Sequence, residues 1–243
     1  MSKSLIICPV GSPITFDERF NKEEHWRFVN QKRLYETLVF QYSDFVPENN
    51  TYDYIIKKKG FKWNLSKEWL KNNSYSQYEY IGFLDDDLIT DIDNVNRSIE
   101  LAKNSGLKLF QMSVTQDSDI FYPILKNDPN LTYSITNFNE VMGMFIHTSL
   151  IPICQELWEM YDIYSGWGFD KVICDITQTD AAVIHISQMY HPKRSGNYDK
   201  SAAFREMDDI TLNIAPKFIR DKYNINWSFR DVQHIKNMFL KIT

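Results

Sequence analysis

The sequence is poor in cysteine, has no long apolar run, and shows no excess of basic charge. Each shortage excludes a class of protein. The three cysteines, Cys8, Cys154 and Cys174, are odd in number, widely spaced and without a C-x-x-C pair. They are expected to be free thiols in a reducing, cytoplasmic setting. No stretch approaches 18 consecutive apolar residues, and the opening MSKSLIICPVGSP has only a short apolar run interrupted by Pro9 and Gly11. Neither a membrane span nor a signal peptide is expected from this, although peripheral membrane contact stays open. A net charge of −5 argues against general affinity for nucleic acid or anionic lipid. Internal repeats and low-complexity linkers are also lacking, so no composition break divides the chain.

What is present suits one large α/β domain with a proper core: 243 residues, 43% hydrophobic and 24% charged. Aromatic residues reach 15%, with 14 Tyr and 6 Trp, which suits carbohydrate binding as well as a Tyr-rich core and rim. Apolar runs at 4–10, 37–43, 52–60, 80–84 and 107–114 predict strands, and 181–187 a final one. Between them, 23–36 looks helical, 66–73 is a helix opened by Ser66, and 91–105 is a helix with acidic residues in its first turn and Gly106 at its end. Residues 133–147 suggest one or two strands, 149–161 and 168–176 helices, and the tail from 202 is helical in parts. Strands alternating with helices predict a mixed, mainly parallel sheet flanked by helices. The expected organisation is a single domain over 1–243, with a first half (1–115), a second half (116–200) and a helical C-terminal tail (201–243).

The fourth predicted strand runs into three aspartates, YIGFLDDDLIT over 80–90. Adjacent like charges repel and are costly to desolvate. Either Asp85, Asp86 and Asp87 are solvated in a turn or cap the next helix, or a cation sits among them. In open α/β sheets ligands bind at the carboxyl ends of strands, and carboxylates are preferred ligands of Mg²⁺ and Mn²⁺. An EF-hand fails, because neither Asp85 nor Asp91 is followed by Gly at the sixth position and Glu at the twelfth. Two readings of a strand-end D-x-D remain: a haloacid-dehalogenase-like phosphatase with Asp85 as nucleophile, and a GT-A glycosyltransferase in which the motif holds a metal and a donor diphosphate.

Two later segments bear on the choice. SGWGFDKV (165–172) sets Gly166 and Gly168 around Trp167 and then presents Asp170, a tight turn with a flat ring and a carboxylate. Farther on, His191 lies just beyond the last predicted strand, followed by Lys193 and Arg194. Imidazole can complete a carboxylate metal site, and the two cations could meet phosphate.

FLDDDL, GLKLFQMSV, TNFNEVMGMF, SGWGFD and HPKRSGNY occur in an order and spacing that resembles a family of bacterial candidate glycosyltransferases, long catalogued as a domain of unknown function. The likeness runs from about residue 50 to 198. It departs from the family's pattern at His185, where an Asp is common, and at Pro192-Lys193, where a Thr-Arg pair is common. The resemblance implies a GT-A-like fold, a nucleotide-sugar donor, a glycan acceptor and a divalent Mn²⁺ or Mg²⁺. It leads to these expected roles: Pro9, Gly11 and Ser12 receive the nucleotide; Lys62, Asp85, Asp86 and Arg194 contact the donor; Asp85, Asp87 and His191 hold the metal. Gly166, Trp167 and Gly168 meet the acceptor. Asp170 is the expected base of an inverting transfer, with Glu140 as acceptor-orienting group or alternative base, and UDP is the expected nucleotide. A non-catalytic nucleotide-sugar or glycan-binding protein of the same fold is the alternative of a different class.

Overall fold

A computed structural model describes residues 3–45, 51–193 and 199–239. Among these residues nine strands form one sheet: β1 (Lys3–Val10), β2 (Tyr35–Gln41), β3 (Tyr54–Lys57), β4 (Tyr78–Leu84), β5 (Leu109–Val114), β6 (Leu131–Thr136), β7 (Gly143–His147), β8 (Ala181–Met189) and β9 (His234–Phe239). Their order across the sheet is β3-β2-β1-β4-β7-β5-β8-β6-β9. β1 pairs in parallel with β2 and β4, β2 with β3, and β5 with β8. β7 lies antiparallel between β4 and β5, and β6 antiparallel between β8 and β9. Only β6 and β7 therefore run against the common direction, and β1, β4, β5 and β8 all end at one edge.

The helices are α1 (Lys62–Asn72), α2 (Ile92–Ser105), α3 (Ile151–Trp158), α4 (Phe169–Thr177), α5 (Lys200–Asp209) and α6 (Ala215–Tyr223). A π-helical turn, Ile210–Ile214, joins α5 to α6. Alternation along β1 divides the core: Leu5 and Ile7 face a cluster with Trp63, Trp158, Phe169 and Phe218, while Ile6, Cys8 and Val10 face one with Trp26, Val95, Phe110 and Phe145. Both faces of the sheet are thus covered, as parallel strands require. The fold is a GT-A-like α/β mixed sheet flanked by helices, with a helical C-terminal region.

Three local expectations are corrected. Residues 23–36 are not a helix: a short 3₁₀ turn, Lys22–Glu24, is followed by irregular chain. Tertiary bonds hold it there. The Trp26 indole donates to the Leu88 carbonyl at 2.9 Å, and the Tyr35 hydroxyl donates to the Trp26 carbonyl at 2.6 Å. Ser66 does not open α1; it lies inside the helix, its hydroxyl donating to the Lys62 carbonyl at 2.7 Å. The helix starts a turn earlier because Lys62 is anchored to Asp85. The strand at 181–187 is not the last, since β9 adds to β6; its exposed, weakly alternating residues carry little apolar signal.

The parallel edge is tied by a mostly buried ion pair. Arg33 donates to both Asp53 oxygens at 2.9 and 2.7 Å, and Asp53 also accepts the Thr37 N–H at 2.7 Å. Asp53→Ala would leave the Arg33 guanidinium buried without its counter-charge. A loss of about 3–5 kcal/mol is expected. In urea denaturation this shows as a lower midpoint at unchanged slope.

Candidate active site

The carboxyl edge of β4 opens into a turn over 85–88, in which the Leu88 N–H meets the Asp85 carbonyl at 3.3 Å. Within it the three aspartates face three different partners. Asp85 accepts from Lys62 Nζ at 2.6 Å, and the same ammonium donates to the Val141 carbonyl at 2.6 Å. Asp86 turns back toward β1, accepting the Gly11 N–H at 3.0 Å and the Ser12 hydroxyl at 3.4 Å. Asp87 Oδ2 lies 3.5 Å from His191 Nε2. Burial raises the Asp85 pKa, opposed by Lys62 and reinforced by the charges of Asp87 and Asp86.

His191 follows β8 at the same edge. Its Nδ1 sits 2.6 Å from the Asp119 carbonyl, a contact that fixes the ring and leaves Nε2 toward Asp87. Burial pulls the His191 pKa down, but the hydrogen bond and charge of Asp87 and the Asp119 carbonyl outweigh it, placing it at about 9. Among the described residues no three His, Cys, Asp or Glu side chains form a ready metal cage. The Asp87–His191 pair is the candidate position for a cation: a carboxylate and an oriented imidazole would ligate it once His191 gives up the proton that Asp87 holds on it near neutrality.

Glu140 and Asp170 are a second pair of carboxylates, brought near each other where the Asn139 N–H meets the Asp170 carbonyl at 3.4 Å. Glu140 precedes β7 at the same edge, and its N–H donates to Gln111 Oε1 of β5 at 2.6 Å. Burial, then the charges of Asp170 and Asp85, push the Glu140 carboxyl up to about 8, against the pull of His191 and Lys62. Asp170 is only 4% exposed at the start of α4. Burial raises its carboxyl to about 7 even though the Gly168 N–H donates to Oδ1 at 2.9 Å. The N-cap of α4 is Gly168, and Asp170 sits in the first turn. The turn before it needs its glycines: φ is +82° at Gly166 and +97° at Gly168, and a Cβ at Gly168 would sit 3.0 Å from the Met207 backbone. Trp167 packs edge-on to Phe204 at 5.3 Å.

The expected residues therefore share one edge of the sheet, with differing surroundings. Lys62 is largely buried and engaged by Asp85 and Val141. Pro9 lies within β1, and Gly11 and Ser12 are the partners of Asp86. Arg194 lies outside the described residues. His185, on β8, accepts the Asp128 N–H at 3.1 Å and lies 3.1 Å from the Ser134 hydroxyl, and burial lowers its pKa to about 4. It is a neutral core histidine.

Sequence reasoning missed three contributors. Gln111 positions Glu140; its Nε2 and the Oδ1 of Asn139 are buried without a hydrogen-bond partner. The signal was a polar side chain inside an apolar strand. Arg27, fully buried, donates to the Asp86 carbonyl at 3.3 Å and lies beneath the aspartate turn; a charge in an aromatic segment was the only hint. Tyr42 packs so tightly on Gly11 that a Cβ there would meet its ring at 2.1 Å, and it remains 40% exposed.

Fold and edge geometry define the chain as a GT-A-like α/β protein with carboxylates gathered at the carboxyl ends of its parallel strands. Residues 15–165 match the family described as protein of unknown function (DUF707), and the chain belongs to that family. Among solved structures it is similar to TarS 1-349 of S. aureus in complex with UDP-GlcNAc, at 13% identity, a TM-score of 0.50, and coverage of 90% of this chain and 71% of that one. TarS 1-349 in complex with UDP gives 12% identity, a TM-score of 0.48, and coverage of 92% and 72%. A197 from STIV gives 13%, 0.43, 79% and 86% respectively. No curated protein matches the sequence. No helix among the described residues is long and apolar enough to cross a membrane.

The raised Glu140 carboxyl has a consequence for stability. An acid whose folded pKa exceeds its unfolded value keeps its proton better when folded, so folding is progressively penalised as pH rises from about 4.5 to about 8. Glu140→Gln removes that penalty. Its melting temperature should exceed wild type at pH 8.5, by about 2–4 °C for each kcal/mol recovered, and approach wild type at pH 4.5. Calorimetric scans at the two pH values check this.

Proposed function

We propose that this chain is a metal-dependent glycosyltransferase that moves a sugar from a nucleotide-sugar donor, UDP-linked by preference, to a hydroxyl of a glycan acceptor with inversion. The observation that carries the reading is the meeting, at one sheet edge, of the Asp87–His191 pair with the buried Asp170 carboxyl, which burial raises to about 7. The TarS structure with UDP-GlcNAc supports it at the level of fold alone.

On this reading the nucleotide lies along Pro9, Gly11 and Ser12, with the half-exposed Tyr42 ring available to the base. Asp87 and His191 hold Mn²⁺ or Mg²⁺, with Asp85 beside them on the donor side. When bound, the cation offsets charge on the departing diphosphate. Lys62 orients Asp85 and opposes the burial that raises its pKa, Asp86 holds the floor of the donor cleft, and Arg194 is assigned to donor phosphate.

Asp170, with its pKa at about 7, is partly ionised at neutral pH and takes the acceptor hydroxyl proton. The acceptor oxygen bonds to the anomeric carbon as the bond from that carbon to the diphosphate oxygen breaks. The nucleoside diphosphate leaves with the bonding pair, and the proton stays on Asp170 until water removes it. Attack opposite the leaving group inverts the centre. Glu140, mostly protonated at neutral pH, donates a hydrogen bond to the acceptor rather than competing as base. Trp167, with Gly166 and Gly168 shaping its turn, faces the acceptor sugar.

Two variants test the reading. A thermal-shift panel of nucleotide sugars with Mn²⁺ first selects a donor, because a ligand that binds only the folded state raises its stability. Asp87→Ala should then abolish Mn²⁺-dependent UDP binding in calorimetric titration; undiminished binding removes Asp87 from the site.

Asp170→Asn should keep donor affinity within a few-fold while slowing transfer by roughly 10²–10⁴-fold. An active, stable Asn variant would move the base to Glu140. A wild-type protein that binds UDP-sugars and transfers none would be the non-catalytic binder.

A further inference from the structure

α5 lies beyond the segment matched to the family, which ends at residue 165, yet it holds the turn that presents Trp167 and Asp170. Its Glu206 carboxylate accepts the Tyr164 N–H at 2.9 Å, the Ser165 N–H at 2.6 Å and the Ser165 hydroxyl at 2.5 Å. Ser165 Oγ in turn accepts the Trp167 N–H at 2.9 Å. One step on, Phe204 meets the Trp167 ring, and the Met207 backbone closes over Gly168. The bonds thus run from α5 through Ser165 to Trp167, and the next backbone N–H, that of Gly168, is the one bound by Asp170.

Two glycines at positive φ give this turn few preferences of its own. A carboxylate with three donors supplies the missing rigidity, since charge-assisted bonds are stronger than neutral ones. Docking of the tail does not need Glu206. Ala203, Ile210, Ala215, Phe218 and Ile219 are buried and fasten α5 and α6 to the core, whereas Glu206 is only half-buried and spends its acceptors on the turn.

We infer that Glu206 is a positioning residue: it locks the 164–168 turn so that Asp170 and Trp167 face the acceptor, which makes the C-terminal helical segment part of the active site. What is positioned rests on the glycosyltransferase reading, whereas the clamp itself does not. Charge supports the link. Glu206 from α5 pushes the Asp170 carboxyl up, Lys171 of α4 pulls it down, and Asp170 in turn raises Glu140 from the loop before β7 and Tyr161 beyond α3.

Glu206→Gln, in the full chain, is the test. Glutamine keeps one acceptor oxygen and loses the charge. Amide exchange followed by NMR should quicken roughly tenfold or more at Tyr164 and Ser165, while α6 amides and the melting temperature stay at wild-type values. Transfer should slow at least about tenfold with donor affinity unchanged, and the acid limb of its pH profile should move to lower pH, because a negative neighbour of Asp170 is gone. Unchanged exchange at Tyr164 and Ser165 overturns the clamp. Exchange that quickens equally throughout α5 and α6 assigns Glu206 a purely structural role, and quicker turn exchange with an unchanged transfer rate removes the positioning role. If wild type transfers no sugar, the functional reading falls. The clamp is then decided by exchange alone: quicker exchange at Tyr164 and Ser165 with unchanged α6 amides upholds it, and unchanged exchange there overturns it.

Discussion

Three neighbouring carboxylates at one strand end impose the constraint around which the site is arranged. Two unit charges about 4 Å apart repel by about 4 kcal/mol at an effective dielectric of 20. The fold disperses that repulsion by turning each side chain elsewhere. Asp85 goes to Lys62, Asp86 to the Gly11 N–H and Ser12, and Asp87 to His191. Each partner comes from a different element, so the aspartate turn gathers the end of β1, the start of α1 and the end of β8 around β4. The Asp86 bond spans 75 positions of sequence and joins the ends of β1 and β4. Arg27 braces the same turn from the buried side through the Asp86 carbonyl.

The second pair of carboxylates obeys the opposite logic. Asp170 is buried and Glu140 half-buried, and for both desolvation is the largest influence on ionisation. Burial lifts both carboxyls into the neutral range, to about 8 and about 7, and each group's charge bears on the other's titration. Gln111 and the Gly168 N–H are the polar contacts that hold the two residues in register.

Much of this was legible before any coordinates. The apolar runs of β1, β4, β5 and β8 and the capped helix α2 carry strong local signals, because strand burial and helix capping are written in adjacent residues. DDDL announced a strand end, and the glycines around Trp167 announced a tight turn. Where local signals misled, long-range contact had won. The helical look of 23–36 yields to the bonds of Trp26 and Tyr35, and α1 begins where Lys62 is anchored rather than at Ser66. β9 was missed because its pairing with β6, not its own apolar content, makes it a strand.

By itself the sequence determined that this is an α/β chain with a carboxylate cluster closing a buried strand, and it offered Glu140, Asp170 and His191 as candidates for chemistry. Only the tertiary structure decided which of these meet. His191 lies 104 positions after Asp87, and Glu206 lies 41 after Ser165. No periodicity or cap relates residues so far apart. Their approach depends on parallel strands ending at one edge and on α5 folding back over the turn. The same packing sets how deeply each carboxylate is buried, and therefore which of them keeps its proton.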